Sequence, residues 1–358
     1  MDFDLSADQR ELQAAARQLL DDRSGTAEVR AHLAGGLASD PALWSSMVDQ
    51  GWCAVAVPED QGGLGLGWVE AAVLLEEVGR HLAPVPFAPQ LLTIAAVVGR
   101  PEHRDLLDRL VAGTAVGTVA WTPRAGVLAV VGDDSPRLTG RLGPVEAASM
   151  ADVAVVVAPD GAYLVDLEAH GRPPAEPAMD LTRTLSWLTL EGTPATRLGG
   201  AELSARLGAL GAVATSSLLL GGSDRVLELA TGYAKDRIQF GVPIGSFQAV
   251  KHRCADMLVD VEGMRSATWY AAWAVATDEP GWELAASTAK VWCGDASKRV
   301  MASGLQVHGG IGFTWEHDLH LFIKRAQADQ VAFGDASHHR AALASTLRDE
   351  VLAGRGVL

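Results

Sequence analysis

The sequence predicts a mostly α-helical protein with a small β domain in the middle of the chain. Two changes of periodicity carry this prediction. Apolar residues recur at helical spacing up to about residue 112, short β-branched runs fill about 113–200, and helical spacing returns from about 201. We therefore divide the 358 residues into an N-terminal helical domain (1–112), a middle β domain (113–200) and a C-terminal helical bundle (201–358).

Start and stop signals support the individual helices. Ser6 followed by Gln9 forms a capping box ahead of the first helix. The stretch 41–51 has a Pro in its first turn and ends at Gly51, which is typical of a short helix. The remaining helices are predicted at 67–84, 88–99, 201–236, 245–277, 282–303 and 336–353, with an irregular segment at 304–320.

Six short runs separated by Gly, Pro and Asp predict a compact, mainly antiparallel β domain. They read AVGTVAW, GVLAVVG, PRLTGRL, ADVAVVVAP, AYLVDL and LSWLTLEG. No Gly-x-Gly-x-x-Gly motif joins a strand to a helix in this region. The sequence therefore does not support a Rossmann dinucleotide site.

The composition excludes several classes of function. A net charge of −15 would repel nucleic acid, and it also disfavours a basic helix lying on a membrane surface. The three cysteines are scattered without metal-ligand spacing, which indicates a reduced compartment. The N-terminus does not resemble a targeting peptide, and no uninterrupted apolar run is long enough to span a membrane. We therefore expect a cytoplasmic protein that binds neither nucleic acid nor membranes.

Two segments of the bundle carry candidate chemistry. In the first, YAKDRIQFGVPIGSFQ, Arg237 ends a helix beside a Gly-Pro turn, and Ser246 is the expected N-cap of the next helix. Arg237 could grip an anionic ligand there, or simply interact with the helix dipole.

The second segment is GLQVHGGIGFTWEHDLH at 304–320. Gly309 and Gly310 permit close approach of another molecule and Gln306 offers an amide, although glycine pairs also serve helix-to-loop turns. His308 alone is more typical of a packed or solvated histidine than of a ligand. His317 and His320, beside acidic residues, lack a recognised ligand spacing, so a polar turn is favoured over a metal site and we predict no metal.

Together these segments resemble the signatures of the flavin-dependent acyl-CoA dehydrogenase family. The match includes RIQFGVPIGSFQ and QVHGGIG, and it extends to LWSSMVDQGW…LEEVGR at 43–80, which contains the loop PEDQGGLG. The resemblance implies N-terminal helices, a β-barrel or sandwich and a C-terminal four-helix bundle. It also implies FAD as cofactor and α,β-dehydrogenation of an acyl-CoA thioester, in which a base takes the α proton and the β hydrogen leaves as hydride to flavin N5.

The resemblance also assigns residues and partners. In this family the cofactor contacts are made largely to the FAD of a neighbouring subunit, which implies a dimer or tetramer of like or sister subunits, and the reduced cofactor passes its electrons to an electron-transfer acceptor. The residues that match FAD-holding positions are Arg237, Gln239, Phe247, Gln248, Gln306, Gly309 and Gly310.

The chain departs from the family where catalysis is expected. The position that usually carries the catalytic Glu is Phe333, and the alternative position falls near Gly211, so both usual bases are absent. Asp335 is the strongest of the possible replacements, but its place after Gly334 favours an N-cap, worth about 1 kcal/mol, over a catalytic base. The other carboxylates considered are Asp329 and Glu146. His338 and His339, in the next turn, are expected to face solvent or the adenosine side of the cofactor.

The β domain departs as well. Thr122 and Pro123 keep the family pattern, but Val127 replaces a Ser, and the strand whose Trp and Thr contact the flavin ring aligns with Pro144 to Glu146. Contacts to a neighbour's FAD thus remain, whereas those to the chain's own flavin ring are altered.

Three hypotheses follow from this pattern. The chain is a subunit of a heterotetramer whose sister subunit supplies the Glu, as in bacterial sterol side-chain degradation. Alternatively, it is a self-sufficient dehydrogenase that uses Asp335, or a scaffold that has lost FAD. Small residues around Gly211, namely Ala212 and Ala214, would admit a bulky acyl group, although they also suit close helix packing.

Overall fold

The structure, a computed structural model, describes residues 4–36, 39–123, 126–132 and 135–354. It confirms a mostly helical chain with a small β domain. The helices are α1 (Ala7–Arg23), α2 (Thr26–Ala34), α3 (Pro41–Asp49), α4 (Trp68–His81), α5 (Phe87–Val97), α6 (Arg104–Val111), α7 (Leu167–His170), α8 (Ala201–Asp236), α9 (Gln248–Ala276), α10 (Trp282–His308), α11 (Leu319–Val331) and α12 (Ala336–Leu352).

The predicted helix starts in the first third are confirmed. Ser6 and Gln9 form the capping box of α1, with the Ser6 hydroxyl accepting from the Gln9 N–H at 3.2 Å. The carboxylate of Asp40 caps α3, which opens with Pro41 and is followed by Gly51 in the left-handed region. These caps satisfy N–H groups that the first helical turn leaves without an intrahelical partner.

The β domain consists of two sheets packed around one core. The first sheet has the strand order β1-β4-β5-β7 and the second β2-β3-β6, and a short separate hairpin, β8-β9, lies in the bundle sequence. All pairs are antiparallel except β1 with β4. The strands are β1 (Gly117–Trp121), β2 (Leu128–Val131), β3 (Arg137–Glu146), β4 (Val153–Ala158), β5 (Gly161–Asp166), β6 (Leu185–Pro194), β7 (Thr196–Gly200), β8 (Ile238–Gln239) and β9 (Val242–Pro243).

Alternating side chains explain how the two sheets join. Leu138 and Leu142 of β3 and Leu188 and Leu190 of β6 point into the same buried cluster as Val156 of β4. All six predicted runs contain a strand, whereas β7 was not predicted. Its sequence, TRLGG, has only one buried apolar side chain and two glycines, so it lacks the alternation that identifies a strand.

The chain forms two compact units that interleave along the sequence. One unit contains residues 1–26, 72–83 and 212–358, and the other contains 27–71 and 84–211. In the first unit, α4 and α8 approach so closely that a Cβ on Gly221 would lie 1.8 Å from the Glu76 carbonyl oxygen. Ion pairs to two buried carboxylates accompany this contact, with Arg265 at 2.6 Å from Glu76 and the partly exposed Arg17 at 2.6 Å from Glu77.

The bundle differs from the prediction in two places. Helix α10 continues to His308 instead of ending at 303, and α11 occupies 319–331, so the irregular segment shrinks to residues 309–318. The predicted N-cap Ser246 is wrong, because its hydroxyl donates to the Pro243 carbonyl at 2.7 Å. Phe247 occupies the cap position without a side-chain cap.

One described helix, α8, is long and apolar enough to cross a membrane by length and composition alone. However, 72% of its most apolar window is buried inside the protein. It is therefore a core helix of the fold.

Candidate functional site

The seven residues assigned to FAD binding lie at the ends of helices, and we call them the helix-tip site. Arg237 follows α8, Gln239 lies in the β8-β9 hairpin, Phe247 and Gln248 begin α9, and Gln306, Gly309 and Gly310 lie at the end of α10. Tyr233 of α8 stacks on His308 of α10, with ring centroids 4.8 Å apart. This contact brings together two segments that are about 70 residues apart in the chain.

The polar side chains of the helix-tip site are exposed. Arg237, Gln239, Gln248 and Gln306 all face solvent. The Arg237 backbone is fixed, because its N–H donates to Tyr233 at 2.9 Å and its carbonyl accepts from Ile244 at 2.8 Å. Within the described part of the chain, the Arg237 guanidinium forms no ion pair, so a positioned charge remains available to an anion.

The β8-β9 hairpin is strained at its tip. Its two central residues, Phe240 and Gly241, have φ angles of +52° and +79°. A two-residue turn with both φ angles positive suits Asn-Gly, and a Phe there is unfavourable. Phe240 is nevertheless 92% exposed and touches Phe247 edge-to-face at 6.1 Å between centroids. Strain that buries nothing in this chain is a sign of function.

The end of α10 leaves its backbone open. Gly309 has φ of +62°, and a Cβ on Gly309 or on Gly310 would meet no atom within 4 Å. His308 is buried, and its Nδ1 bonds the Gly304 carbonyl at 2.7 Å, while burial lowers its pKa. His308 is thus a packed residue that fixes the helix end. Open glycine backbone beside an exposed Arg and Gln fits the diphosphate of a dinucleotide.

The turn between α11 and α12, residues Phe333 to Asp335, contains the position that the resemblance aligns with the family's catalytic Glu, and we call it the elbow. Phe333 and Gly334 have φ angles of +52° and +94°. Asp335 is the N-cap of α12, and its carboxylate accepts from the His338 N–H at 2.8 Å. That backbone hydrogen bond lowers the pKa of Asp335, which makes it a weaker proton acceptor.

His339 does not face solvent, which corrects the prediction for this residue. It is buried, with Nδ1 at 3.1 Å from the Ser287 hydroxyl and Nε2 at 2.9 Å from the Phe333 carbonyl oxygen. Burial lowers the pKa of His339 to about 4, so the ring is neutral near pH 7. A neutral ring that donates from Nε2 to Phe333 holds the left-handed conformation at the elbow.

A buried lysine supports the same elbow from α10. Lys290 is fully buried, and its ammonium donates to the Asp329 carbonyl oxygen at 2.5 Å. Burial lowers the pKa of Lys290 to about 8, while the nearby Asp329 carboxylate opposes that shift. Asp329 is itself fully buried within α11, so solvent and substrates cannot reach its carboxylate from outside.

At the end of β3, the polar side chains pair with one another in an ion network. Arg183 donates to Glu146 at 2.7 Å and to Asp180 at 3.0 Å. The Arg183 and Asp180 side chains are only 7% and 2% exposed. Glu146 is thus engaged as an acceptor, and Val127 packs against the core of the β domain. Gly211 lies buried within α8, where it carries no functional side chain.

The described residues contain no group of three or more His, Cys, Asp or Glu side chains arranged to hold a metal ion. His317 accepts from the Leu319 N–H at 3.1 Å, and its ring lies 4.4 Å from that of His308. This histidine therefore has a structural role at the start of α11.

Three features of the site were not predicted from the sequence. The strained Phe240 was missed because Phe-Gly is not one of the dipeptides that mark a two-residue hairpin turn. The Arg183 network and the burial of His339 depend on contacts between residues 37 and 52 positions apart. No local pattern identifies those contacts.

Comparisons with known proteins give the same family at both ends of the chain. Residues 6–113 match the acyl-CoA dehydrogenase N-terminal domain, and residues 204–347 match the acyl-CoA dehydrogenase C-terminal domain. The chain is 34% identical to the acyl-CoA dehydrogenase IpdE2 of Mycolicibacterium smegmatis, over 92% of this chain and 96% of the relative.

Two solved structures are similar over almost their whole length. A variant of the steroid ACAD Tcur3481-Tcur3483 has a TM-score of 0.90 and 32% identity, and covers 96% of this chain and 99% of that one. The ChsE4-ChsE5 complex from Mycobacterium tuberculosis has a TM-score of 0.89 and 28% identity, and covers 98% and 99%.

Proposed function

The chain belongs to the acyl-CoA dehydrogenase family, and from this premise we propose that it works as one subunit of a hetero-oligomeric enzyme. In this proposal the helix-tip site holds the FAD of a neighbouring subunit, and a sister chain supplies the catalytic Glu. The family is one of FAD-dependent oxidoreductases that act on acyl-CoA thioesters. The subunit arrangement and the source of the base are the new elements of the proposal.

The residues of the helix-tip site have separate tasks in this proposal. The Arg237 guanidinium and the open backbone at Gly309 and Gly310 would bind the diphosphate, and the Gln306 amide would hydrogen-bond to it. The exposed Phe247 would cover the flat face of the nucleotide. When bound, FAD supplies a hydride acceptor, whereas the chain's own residues bind and orient it.

The observation that carries the proposal is a contrast between two sets of polar side chains, one already hydrogen-bonded within this chain and the other exposed to solvent. At the elbow and at the end of β3, Asp335 accepts from a backbone N–H, and Glu146 is paired with Arg183. At the helix tips, by contrast, Arg237 and Gln306 face solvent. A chain that kept proton abstraction for itself would need a free carboxylate in place of Phe333.

The similar structures favour particular partners and substrates. One of them is the ChsE4-ChsE5 complex, and the other is a variant of a steroid ACAD. We therefore propose a sister dehydrogenase subunit as partner and a steroid-derived acyl-CoA as substrate. The small residues Gly211, Ala212 and Ala214 on α8 agree with a bulky acyl group. A cytoplasmic setting and a separate electron-transfer acceptor complete the proposal.

The deciding experiment is co-expression with candidate sister chains, followed by measurement of FAD content and subunit stoichiometry. We expect co-purification with a related chain that carries Glu at the position of Phe333, and about one FAD for each pair of subunits. As a control, the chain expressed alone should not reduce its flavin with acyl-CoA. A homotetramer with one FAD per subunit and robust turnover would overturn the proposal.

The alternative of a self-sufficient enzyme has a sharp test at Asp335. Asn caps a helix about as well as Asp, so Asp335→Asn removes the proton acceptor and keeps α12 intact. If Asp335 is the base, this variant retains FAD but loses flavin reduction by substrate. Under our proposal the same substitution leaves the turnover of the assembled enzyme unchanged.

The remaining alternative is a scaffold that does not bind FAD. Purified protein that lacks the flavin absorbance at about 450 nm, alone and with its partner, would establish it. The open glycine backbone and the positioned Arg237 favour a flavoprotein instead.

A further inference from the structure

A polar cavity lies in the β domain, among residues that belong to no site described above. It has a volume of about 370 Å³ and opens to solvent. Its lining includes Arg137, Arg197, Ser135, Thr196 and two prolines, Pro136 and Pro194. It therefore combines two guanidinium groups with two hydroxyls, and its lining contains no carboxylate among the described residues.

The backbone around this cavity is fixed by both sheets. Arg137 begins β3 and pairs with Pro194 at the end of β6. The Ala195 N–H donates to the Pro136 carbonyl at 2.9 Å, and β7 begins at the next residue, Thr196. The floor is thus a junction of three strands, which holds the two arginine backbones in place.

Each guanidinium is anchored without being neutralised. Arg137 donates from Nη1 to the Gly192 carbonyl at 2.8 Å, and Arg197 donates from Nη2 to the Asp160 carbonyl at 3.4 Å. The Asp160 carboxylate itself accepts from the Tyr163 hydroxyl at 3.3 Å. In the ranges that the structure describes, neither arginine forms an ion pair, and Asp133 and Asp134 lie outside those ranges. The remaining N–H donors of both forks can therefore serve a ligand.

Charge selects the class of ligand. Two guanidinium groups and two hydroxyls match a phosphate monoester, whose oxygens accept several charge-assisted hydrogen bonds. The chain carries a net charge of −15, so a polyanionic substrate needs local cations to overcome the general repulsion. Coenzyme A bears one phosphate monoester, its 3′-phosphate, and free orthophosphate has the same chemistry.

We propose that Arg137 and Arg197 form a binding site for a phosphate monoester. The inference that this group belongs to an acyl-CoA rests on the proposed function, whereas the anion site itself does not. The experiment therefore uses three probes: coenzyme A, 3′-dephospho-coenzyme A and inorganic phosphate. Binding of each is measured by calorimetry to the wild-type assembly and to Arg137→Gln, Arg197→Gln and Arg348→Gln, the last a charge-matched control on α12 outside the cavity.

We expect coenzyme A to bind the wild type about tenfold more tightly than the dephospho form, the effect of one good charge-assisted contact. Arg137→Gln and Arg197→Gln should each reduce that preference several-fold and leave the dephospho affinity unchanged, whereas Arg348→Gln preserves it. Arg197→Lys should give an intermediate value, because it keeps the charge and loses the fork.

The other outcomes are equally decisive. Binding of inorganic phosphate that both arginine variants lose, without any preference for coenzyme A over its dephospho form, would support the site and identify free phosphate as the ligand. Equal binding of all probes by wild type and variants would overturn it. Unchanged FAD content and partner binding in the variants would show that a failure concerns this cavity and leaves the proposed function intact.

Discussion

The helix-tip site and the elbow are both built from helix ends, yet their polar groups are satisfied in opposite ways. At the elbow, α12 is capped by Asp335, the Phe333 carbonyl is bonded by His339, and Lys290 binds the last turn of α11. At the helix tips, Arg237 and Gln306 face solvent, and Gly309 leaves the backbone open. The polar groups of the elbow are satisfied within this chain, whereas those of the helix-tip site remain available to a ligand.

Under the proposed function, this difference separates cofactor binding at the helix tips from proton abstraction at the elbow. Unsatisfied polar groups are costly when they are buried, so a fold keeps them only at the surface or where a ligand completes them. The elbow keeps its left-handed conformation at Phe333 although no carboxylate is present there. Its geometry is therefore maintained by packing, and binding and proton abstraction can diverge independently in one fold.

The largest expected effect is a loss of stability at the end of β3, where polar groups are also satisfied within this chain. Replacing Arg183 with Met leaves Asp180 buried without its ion-pair partner, and we expect a loss of stability of about 3–5 kcal/mol. Urea unfolding measures it. The matched control is Arg172→Met, because Arg172 pairs with Asp152 at the surface and should cost about 1 kcal/mol or less. A loss of FAD without a loss of stability would show that Arg183 serves the cofactor.

The next effect is the pH dependence of stability that His339 causes at the elbow. The pKa of His339 is lowered to about 4 in the folded chain, below the ordinary value of 6.5. The unfolded chain therefore takes up the proton first, and stability is complete above pH 6.5 and falls as the pH drops from 6.5 towards 4. The full shift corresponds to roughly 3 kcal/mol.

His339→Gln should flatten this part of the stability profile, which thermal or urea unfolding at a series of pH values would show. Three titratable groups near His339 share the environment, namely His338, Asp335 and Lys290. His252→Gln, an exposed residue on α9, is the control and should leave the profile unchanged. A profile that stays the same in both variants would mean that His339 is not held neutral by burial.

Much of the fold was predictable from the sequence because its signals are local. The capping box at Ser6 and the alternation in β3 and β6 each require only neighbouring residues to be recognised. Strand β7 was missed because two of its five residues are glycines. The end of α10 was misplaced for a related reason, since glycines near 304 and 309 read as a stop although the helix continues to the second of them.

The site was less predictable because neighbours in sequence differ in environment. His338 and His339 are adjacent and chemically identical, yet only His339 reaches Ser287, which lies 52 residues earlier. Ser246 looked like a helix cap, but its hydroxyl is taken by Pro243. The Asp335 cap, by contrast, was predictable, because a cap depends only on the next three residues.

A smaller effect, on FAD affinity, tests the helix-tip site directly. Arg237→Gln removes the exposed charge that the helix-tip site offers to a diphosphate. We expect FAD affinity to fall about ten- to a hundredfold, since hydrogen bonds to charged groups contribute roughly 1.5–3 kcal/mol. Titration of the assembled enzyme, freed of FAD, with FAD and detection by fluorescence measures it. Lys235→Gln, two residues earlier and also exposed, is the control. Equal affinity in wild type and Arg237→Gln would remove the helix-tip site from cofactor binding.

The smallest effect concerns the strained hairpin, where stability and binding should move in opposite directions. Phe240→Asn places at φ of +52° a residue that tolerates the left-handed region, and we expect a gain in stability of about 1 kcal/mol. Binding of FAD or of the partner subunit should weaken a few-fold, because the exposed ring is lost.

Phe313→Asn separates the effect of backbone strain from the effect of losing an exposed aromatic ring. Phe313 is also strongly exposed, at 75%, but it does not have a positive φ angle, so its replacement should bring no gain in stability. Melting curves and FAD titrations of both variants complete the comparison. If Phe240→Asn becomes more stable and still binds normally, the strain at the hairpin tip has no function in this site. If it loses binding as it gains stability, the strained ring is maintained for a ligand or partner that this chain alone does not contain.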